Sequence, residues 1–329
     1  MSSIIEWRQD ASLYAEQGKG PREISRLLDV PYSSVWDYLN KGIERTVTYK
    51  SPTPDQPMLR WTSPVKSDIV RINTDQTKQG PTIIYIPDSQ VKPDTDTEYL
   101  RCIGEYIAYK KPDVIVCAGD FADMPSLSSY DKGKKSAEGK RVALDIQASI
   151  NGMNVLLSPI KATQIKDPSW KPRMTLTLGN HEERILRHVE ANPELEGFLG
   201  LKELRYEDSG WEVVDFLKPV VIGGVTFIHY WPHPMTGKPM GGSALNVLKS
   251  TGCSVVQGHR QTLDVATRTL HTGVQQWSII AGASYDFDES YKGFTGNKHH
   301  RGIVVMHNVE DGGFSPLFID IEYLKKRFK

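Results

Sequence analysis

The sequence predicts an α/β protein of layered sheets flanked by helices, preceded by a small all-α unit, and three observations lead there. Beyond residue 80, short apolar runs (TIIYIPD, DVIVCAGD, MTLTLGN, GVTFIHY, CSVVQGH) alternate with segments of helical spacing. Runs that are apolar on both faces belong to sheets covered on both sides. Residues 4–42 instead read as helices throughout, and the stretch between the two regions is rich in Pro, Ser and Thr. The expected division is a helical unit over 1–45, a linker over 46–80 and an α/β domain over 81–329.

In the N-terminal unit, Trp7, Ala11, Tyr14 and Ala15 share one helical face. Ile24, Leu27 and Leu28 share a second, and Val35 and Leu39 a third, with breaks at GKGP and DVP. The stretch REISRLLDVPYSSVWDYL has the apolar spacing and tight turn of a helix-turn-helix. Its second helix, starting near Tyr32, would bring Tyr32, Ser33 and Ser34 to a DNA major groove. Residues 1–50 hold equal numbers of acidic and basic side chains, whereas phosphate contact favours a basic excess. A three-helix docking or dimerisation module therefore stays open beside the DNA reading. The segments SPTPDQP and WTSPVKSD suit an extended tether. After it come the first strand, a helix over Tyr99–Lys110, the second strand, a long polar and helical insertion, two more strands, a helix over Ser243–Ser250 and the strand CSVVQGH.

At 329 residues the chain can bury a full core and still carry a second unit. Lys plus Arg equals Asp plus Glu at 40 each, so net charge selects neither a polyanion nor a polycation as partner. Cys102, Cys117 and Cys253 are widely spaced, which suggests neither a disulfide framework nor a thiolate zinc site. The N-terminus lacks the order of a signal peptide and no apolar run reaches the ~18 residues of a membrane helix. A soluble, cytoplasmic protein is expected.

Each apolar run ends in a side chain able to bind metal. In chain order these are Asp88 and Gln90, Asp120 and Asp123, Asn180 and His181, His229, and His259 and Gln261. Strand ends in α/β proteins converge on one crevice, and mixed oxygen and imidazole donors are what catalytic divalent ions need. Taken singly, Asp88 and Asp120 read equally well as helix caps, Asn180 as a turn residue, and His229 or His259 as hydrogen-bonded core histidines. The ordered set carries the inference.

That order resembles the calcineurin-like metallophosphoesterases, whose pattern runs D-x-H, G-D-x-x-D, G-N-H-E, H and G-H-x-H. The resemblance covers roughly residues 81–262, and DMPSLSSYDKGKK and GNKHHRGIVVMH are similar to a branch found in tailed phages. It implies a layered β-sandwich flanked by helices and two divalent ions, Mn or Mg. Asp120 would bridge them, with Asp88, Gln90 and Gln261 on one ion and Asn180, His229 and His259 on the other. His181 would act at the leaving-group oxygen, with Asp123 setting its tautomer. Glu182 and Arg184 become supporting or phosphate-contact candidates. Gln90 and Gln261 stand where the family has His. An amide oxygen is a neutral, harder and weaker donor than imidazole, so that site should favour Mn or Mg over Zn and hold its ion loosely, leaving one tightly bound.

Two basic clusters bear on the substrate. SSYDKGKKSAEGKR places Lys132, Lys134 and Lys135 beside Tyr130, a pattern for tracking a nucleic-acid backbone and stacking a base, or simply a solvated loop. YKGFTGNKHHR adds Lys292, Lys298, His299, His300 and Arg301. Three readings follow: a phosphodiesterase acting on DNA, a phosphomonoesterase, and a DNA-binding or assembly protein with a weakened metal site.

Overall fold

The structure is a computed structural model that describes residues 6–41, 70–72, 80–289 and 292–329. The chain divides into two compact units, Met1–Lys66 and Ser67–Lys329.

In the first unit three helices pack on one another: α1 (Glu6–Glu16), α2 (Pro21–Leu28) and α3 (Tyr32–Lys41). Pro21 opens α2, where its missing N–H costs nothing, and Asp29 closes it in the left-handed conformation. Each helix contributes one fully buried residue, Ala11, Ile24 and Val35, and Trp7, Tyr14, Leu28 and Leu39 pack around them. Leu27, expected in this core, is exposed, because α2 turns Ile24 and Leu28 inward and leaves Leu27 off that stripe. Ser34 is buried beside Val35, which removes it from any groove-facing set; Tyr32 and Ser33 remain exposed.

The second unit runs β1 (Val70–Ile72), β2 (Ile83–Ile86), α4 (Glu98–Lys110), β3 (Val114–Cys117), α5 (Val142–Lys166), β4 (Arg173–Thr177), α6 (Glu183–Ala191), β5 (Glu212–Val214) and β6 (Val220–Ile222). It continues through β7 (Val225–Ile228), α7 (Ala244–Thr251), β8 (Ser254–Gln257), β9 (Leu263–Thr269), β10 (Gln275–Ala281), α8 (Gly293–Gly296), β11 (Gly302–Glu310), β12 (Gly313–Asp320) and α9 (Ile321–Arg327). The strands form two six-stranded sheets, β12-β11-β2-β3-β4-β5 and β1-β6-β7-β8-β10-β9. Three residues of the expected linker are thus strand: Val70–Ile72 pairs in parallel with Val220–Ile222. The rest of that linker, apart from Gly80, lies outside the described residues.

The uniform apolar runs have a direct cause. In β2, Ile83 and Tyr85 face the core between the two sheets, while Ile84 and Ile86 face the core under α4 and α5. β3 and β11 divide in the same way, with Val114, Val116, Val304 and Met306 between the sheets and Ile115, Cys117, Ile303 and Val305 toward the helices. In the second sheet Phe227 and Val256 point to the inter-sheet core, and Ile228 and Val255 meet Val247 of α7. A strand buried on both faces has no polar side to display.

Candidate metal centre

Parallel pairing brings the strand ends level. β2, β3 and β4 run parallel in one sheet, with Ile86 opposite Cys117 and Cys117 opposite Leu176. In the other sheet β7 and β8 run parallel, with Ile228 opposite Gln257. The crevice is therefore fed by two sheets, three strand ends from one and two from the other. Just past these ends the backbone is strained: Gln90, Asp120, His259 and Gln261 all have positive φ, between 45° and 64°. Such conformations cost on the order of 1 kcal/mol or more each outside glycine and concentrate at functional sites. The glycines of GN and GH are explained by close approach. A Cβ on Gly179 would lie 2.2 Å from Asp120 Oδ1, and one on Gly258 would lie 2.3 Å from Asp88 Oδ1.

Asp120, His229 and His259 each point one donor atom into a cluster whose members lie within 4.8 Å of one another. Asn180 Oδ1 joins them, 2.9 Å from His229 Nε2 and 2.7 Å from His259 Nδ1. His229 Nδ1 lies 2.8 Å from the Ala118 carbonyl, which can only accept, so Nδ1 carries the proton and the neutral ring presents a lone pair at Nε2. That lone pair faces Asn180 Oδ1 and, at 3.4 Å, Asp120 Oδ2. Three acceptors converging in a buried place require positive charge among them, either a proton or a cation. The titration behaviour agrees. Burial works against charge on His229, but the Asp120 carboxylate outweighs it and lifts its pKa to about 9. Burial likewise opposes ionisation of Asp120, and the His181 and His229 rings overcome it and hold the carboxyl well below the usual range. Burial and then the charge of His229 push His259 down to about 4, leaving a neutral imidazole. The donor set of one carboxylate, one amide oxygen and two imidazoles fits a divalent ion.

On the other side of the cleft, burial and the nearby Asp120 raise Asp88 to about 6. Its Oδ1 accepts from the His259 N–H at 2.8 Å. Gln90 is buried with neither amide atom hydrogen-bonded, an orphaned polar group beside the cleft. Gln261, an expected ligand, has both amide atoms hydrogen-bonded. Its NH2 donates to Asp88 Oδ2 at 3.3 Å, and its oxygen accepts from Tyr285 Oη at 2.9 Å and from Lys292 Nζ. An amide oxygen has two lone pairs, and both are engaged.

His181 Nδ1 lies 2.7 Å from Asp123 Oδ1 and its Nε2 lies 3.6 Å from Asp120 Oδ2. Arg184 donates to the Asp123 carbonyl at 2.7 Å and places Nη2 3.1 Å from His181 Nε2. Burial lowers the proton affinity of His181, but Asp120 and Asp123 more than restore it. In the neutral ring Nδ1–H donates to Asp123 while Nε2 accepts from Arg184. The protonated ring can no longer accept from Arg184, and its Nε2–H has Asp120 Oδ2 3.6 Å away and the cleft beside it.

Glu182 is not a phosphate contact. It is fully buried and accepts from the backbone N–H groups of Asp120, Gly179 and Ala122 at 2.9–3.0 Å and from Tyr206 Oη at 3.2 Å. It thereby pins the GD loop to the GN loop. Glu182→Ala strands these donors and is expected to cost roughly 3–5 kcal/mol of stability, readable by urea denaturation.

The cleft holds about 420 Å³ and is lined by Gln90, Asp120, His181, His259, Arg260, Gln261, Thr262, Lys292, Gly296 and His299. Of the expected substrate contacts, His299 reaches it. Arg301 does not, being paired with Asp288 at 2.6 Å, and His300 packs against the backbone at Gly282 and Gly302. Tyr130 is 80% exposed, Lys132, Lys134 and Lys135 are exposed too, and none of these four lines the cleft. Sequence reasoning missed Lys92, whose Nζ lies 2.5 Å from Glu289 and 3.7 Å from Asp123. A contact spanning 197 residues leaves no local signal.

No family model matches the chain. Its similarity is to phage proteins. It is 24% identical to the Gene 54 protein of Mycobacterium phage L5 over 253 residues, which cover 74% of this chain and 91% of that protein. It is also 24% identical to the Gene 54 protein of Mycobacterium phage D29 over 208 residues, 61% of this chain and 78% of that one. No helix among the described residues is long and apolar enough to cross a membrane.

Proposed function

We propose that the protein is a metal-dependent phosphoesterase of the calcineurin-like kind, acting as a phosphodiesterase on DNA in the cytoplasm of a phage-infected host. The observation that carries the reading is the juxtaposition of the Asp120, Asn180, His229 and His259 donors with the His181–Asp123 pair, beside an open cleft that Asp120, His181 and His259 line. A divalent ion held by those donors would supply Lewis acidity, lowering the pKa of water and neutralising charge on the phosphoryl group. The chain's own residues do the rest. Asp123 holds the proton of His181 on Nδ1, and the Nε2 edge faces the cleft, where it meets the leaving oxygen. Arg184 lies against that edge and is placed to take a phosphate oxygen when His181 changes partner.

The DNA reading is drawn from the three-helix N-terminal unit, in which Tyr32 and Ser33 at the start of α3 are exposed. One observation favours a phosphomonoester instead: the basic insertion around Tyr130 does not line the cleft. The test is hydrolysis of single-stranded DNA, double-stranded DNA and a phosphomonoester by metal-stripped protein given Mn, Mg or Zn. DNA cleavage that needs Mn or Mg is the expected result. Turnover of the monoester alone selects the second reading, and silence on all three selects a binding or assembly protein.

A further inference from the structure

Two buried carboxylates, Asp88 and Asp120, face the same region, and the donor cluster for a divalent ion lies on the Asp120 side. On the Asp88 side the groups are already committed. Gln261 links Asp88 to Lys292, its NH2 on the carboxylate and its oxygen accepting from the ammonium. Lys292 Nζ also donates to Tyr285 Oη at 2.5 Å, sits 5.2 Å from that ring's centroid, and lines the cleft with Gln90, Asp120 and His181. A buried carboxylate draws positive charge toward it, and the Lys292 ammonium reaches Asp88 through the Gln261 amide.

The geometry points to a one-ion centre in which the Lys292 ammonium stands in place of a second divalent ion, offsetting Asp88 and binding a non-bridging oxygen of the substrate phosphate. This rests on the phosphoesterase reading and specifies its site. An ammonium brings a single charge and three rotatable donors, so Lys292 orients and neutralises the phosphate but does not acidify water. That task falls to the ion on the Asp120 side alone. Glutamine suits the linking position, because one amide accepts from the ammonium and donates to Asp88 at once. The orphaned amide of Gln90 faces the same space and is left to meet the substrate.

The test is Mn(II) titration of the metal-stripped full chain, with bound ions counted by equilibrium dialysis and their coupling read by electron paramagnetic resonance. One ion per chain with the six-line spectrum of isolated Mn(II) is expected; two spin-coupled ions overturn the proposal. Lys292→Met removes the charge at similar length. It should keep the one ion and weaken binding of inorganic phosphate to the Mn-loaded protein by about ten-fold or more, the effect of losing a charged hydrogen bond. Unchanged phosphate binding in a folded Lys292→Met protein overturns it as well. Two coupled ions in a chain that cleaves DNA remove the lysine's role and leave the phosphoesterase standing, whereas no bound ion removes both.

Discussion

On the proposed phosphoesterase reading, Asp120→Asn is expected to lower hydrolysis by roughly three orders of magnitude or more and to release the divalent ion while the fold survives. The substitution keeps the shape of the side chain, and its carbonyl still accepts from the His181 N–H, now made at 2.8 Å to Oδ1. What changes is the other atom. Oδ2, which faces the lone pair of His229 Nε2 at 3.4 Å, becomes an NH2 that donates to it. Three converging acceptors become a satisfied hydrogen-bonded set, and the cluster no longer calls for a cation. The expected result is loss of Mn(II) binding in equilibrium dialysis together with loss of turnover. The thermal midpoint of the ion-free protein should stay within a few degrees of the parent. A variant that still binds Mn(II) as tightly as the parent would remove Asp120 from the ligand set.

His181→Ala separates proton transfer from ion binding. The ring touches the cluster only through the 3.6 Å approach of Nε2 to Asp120 and is otherwise held by Asp123 and Arg184. The ion count is therefore expected to stay unchanged, while kcat falls by about 10²- to 10⁴-fold, the range for loss of a general acid. An ester with a good leaving group, such as a nitrophenyl phosphodiester, should lose much less than DNA, because its leaving oxygen needs no proton. Equal losses on both substrates would assign His181 to positioning rather than to proton transfer.

The strands and their terminal residues were legible because each run is buried on both faces and ends directly at a polar side chain, at a glycine in AGD, LGN and QGH, a local pattern that needs no partner to be seen. The same holds for Asp120, Asn180, His229 and His259, which each follow such a run directly and do converge. What was not legible depends on contacts across the chain. Gln261 entered the ligand set through the family resemblance, and the approach of Lys292 and Tyr285 to its oxygen leaves no local signal. The lysines near Tyr130 read as a nucleic-acid track from composition, but composition does not say where an insertion lies, and the cleft lining excludes them. Glu182 stood as a supporting or phosphate-contact candidate, and its burial against three backbone N–H groups selects the supporting role. Ser34 is buried together with Val35 and Asp37 on α3, while Tyr32, Ser33 and Trp36 are exposed.

The central claim is that an ion on the Asp120 side makes this protein a DNA phosphodiesterase. It is tested most directly by titrating Mn(II) into metal-stripped protein while following ion occupancy and cleavage of single-stranded DNA in the same samples. The account predicts a cleavage rate that rises in proportion to occupancy and reaches its plateau when the site fills. A site that fills with no cleavage of DNA, or DNA cleavage that is already complete before any ion is bound, would contradict it.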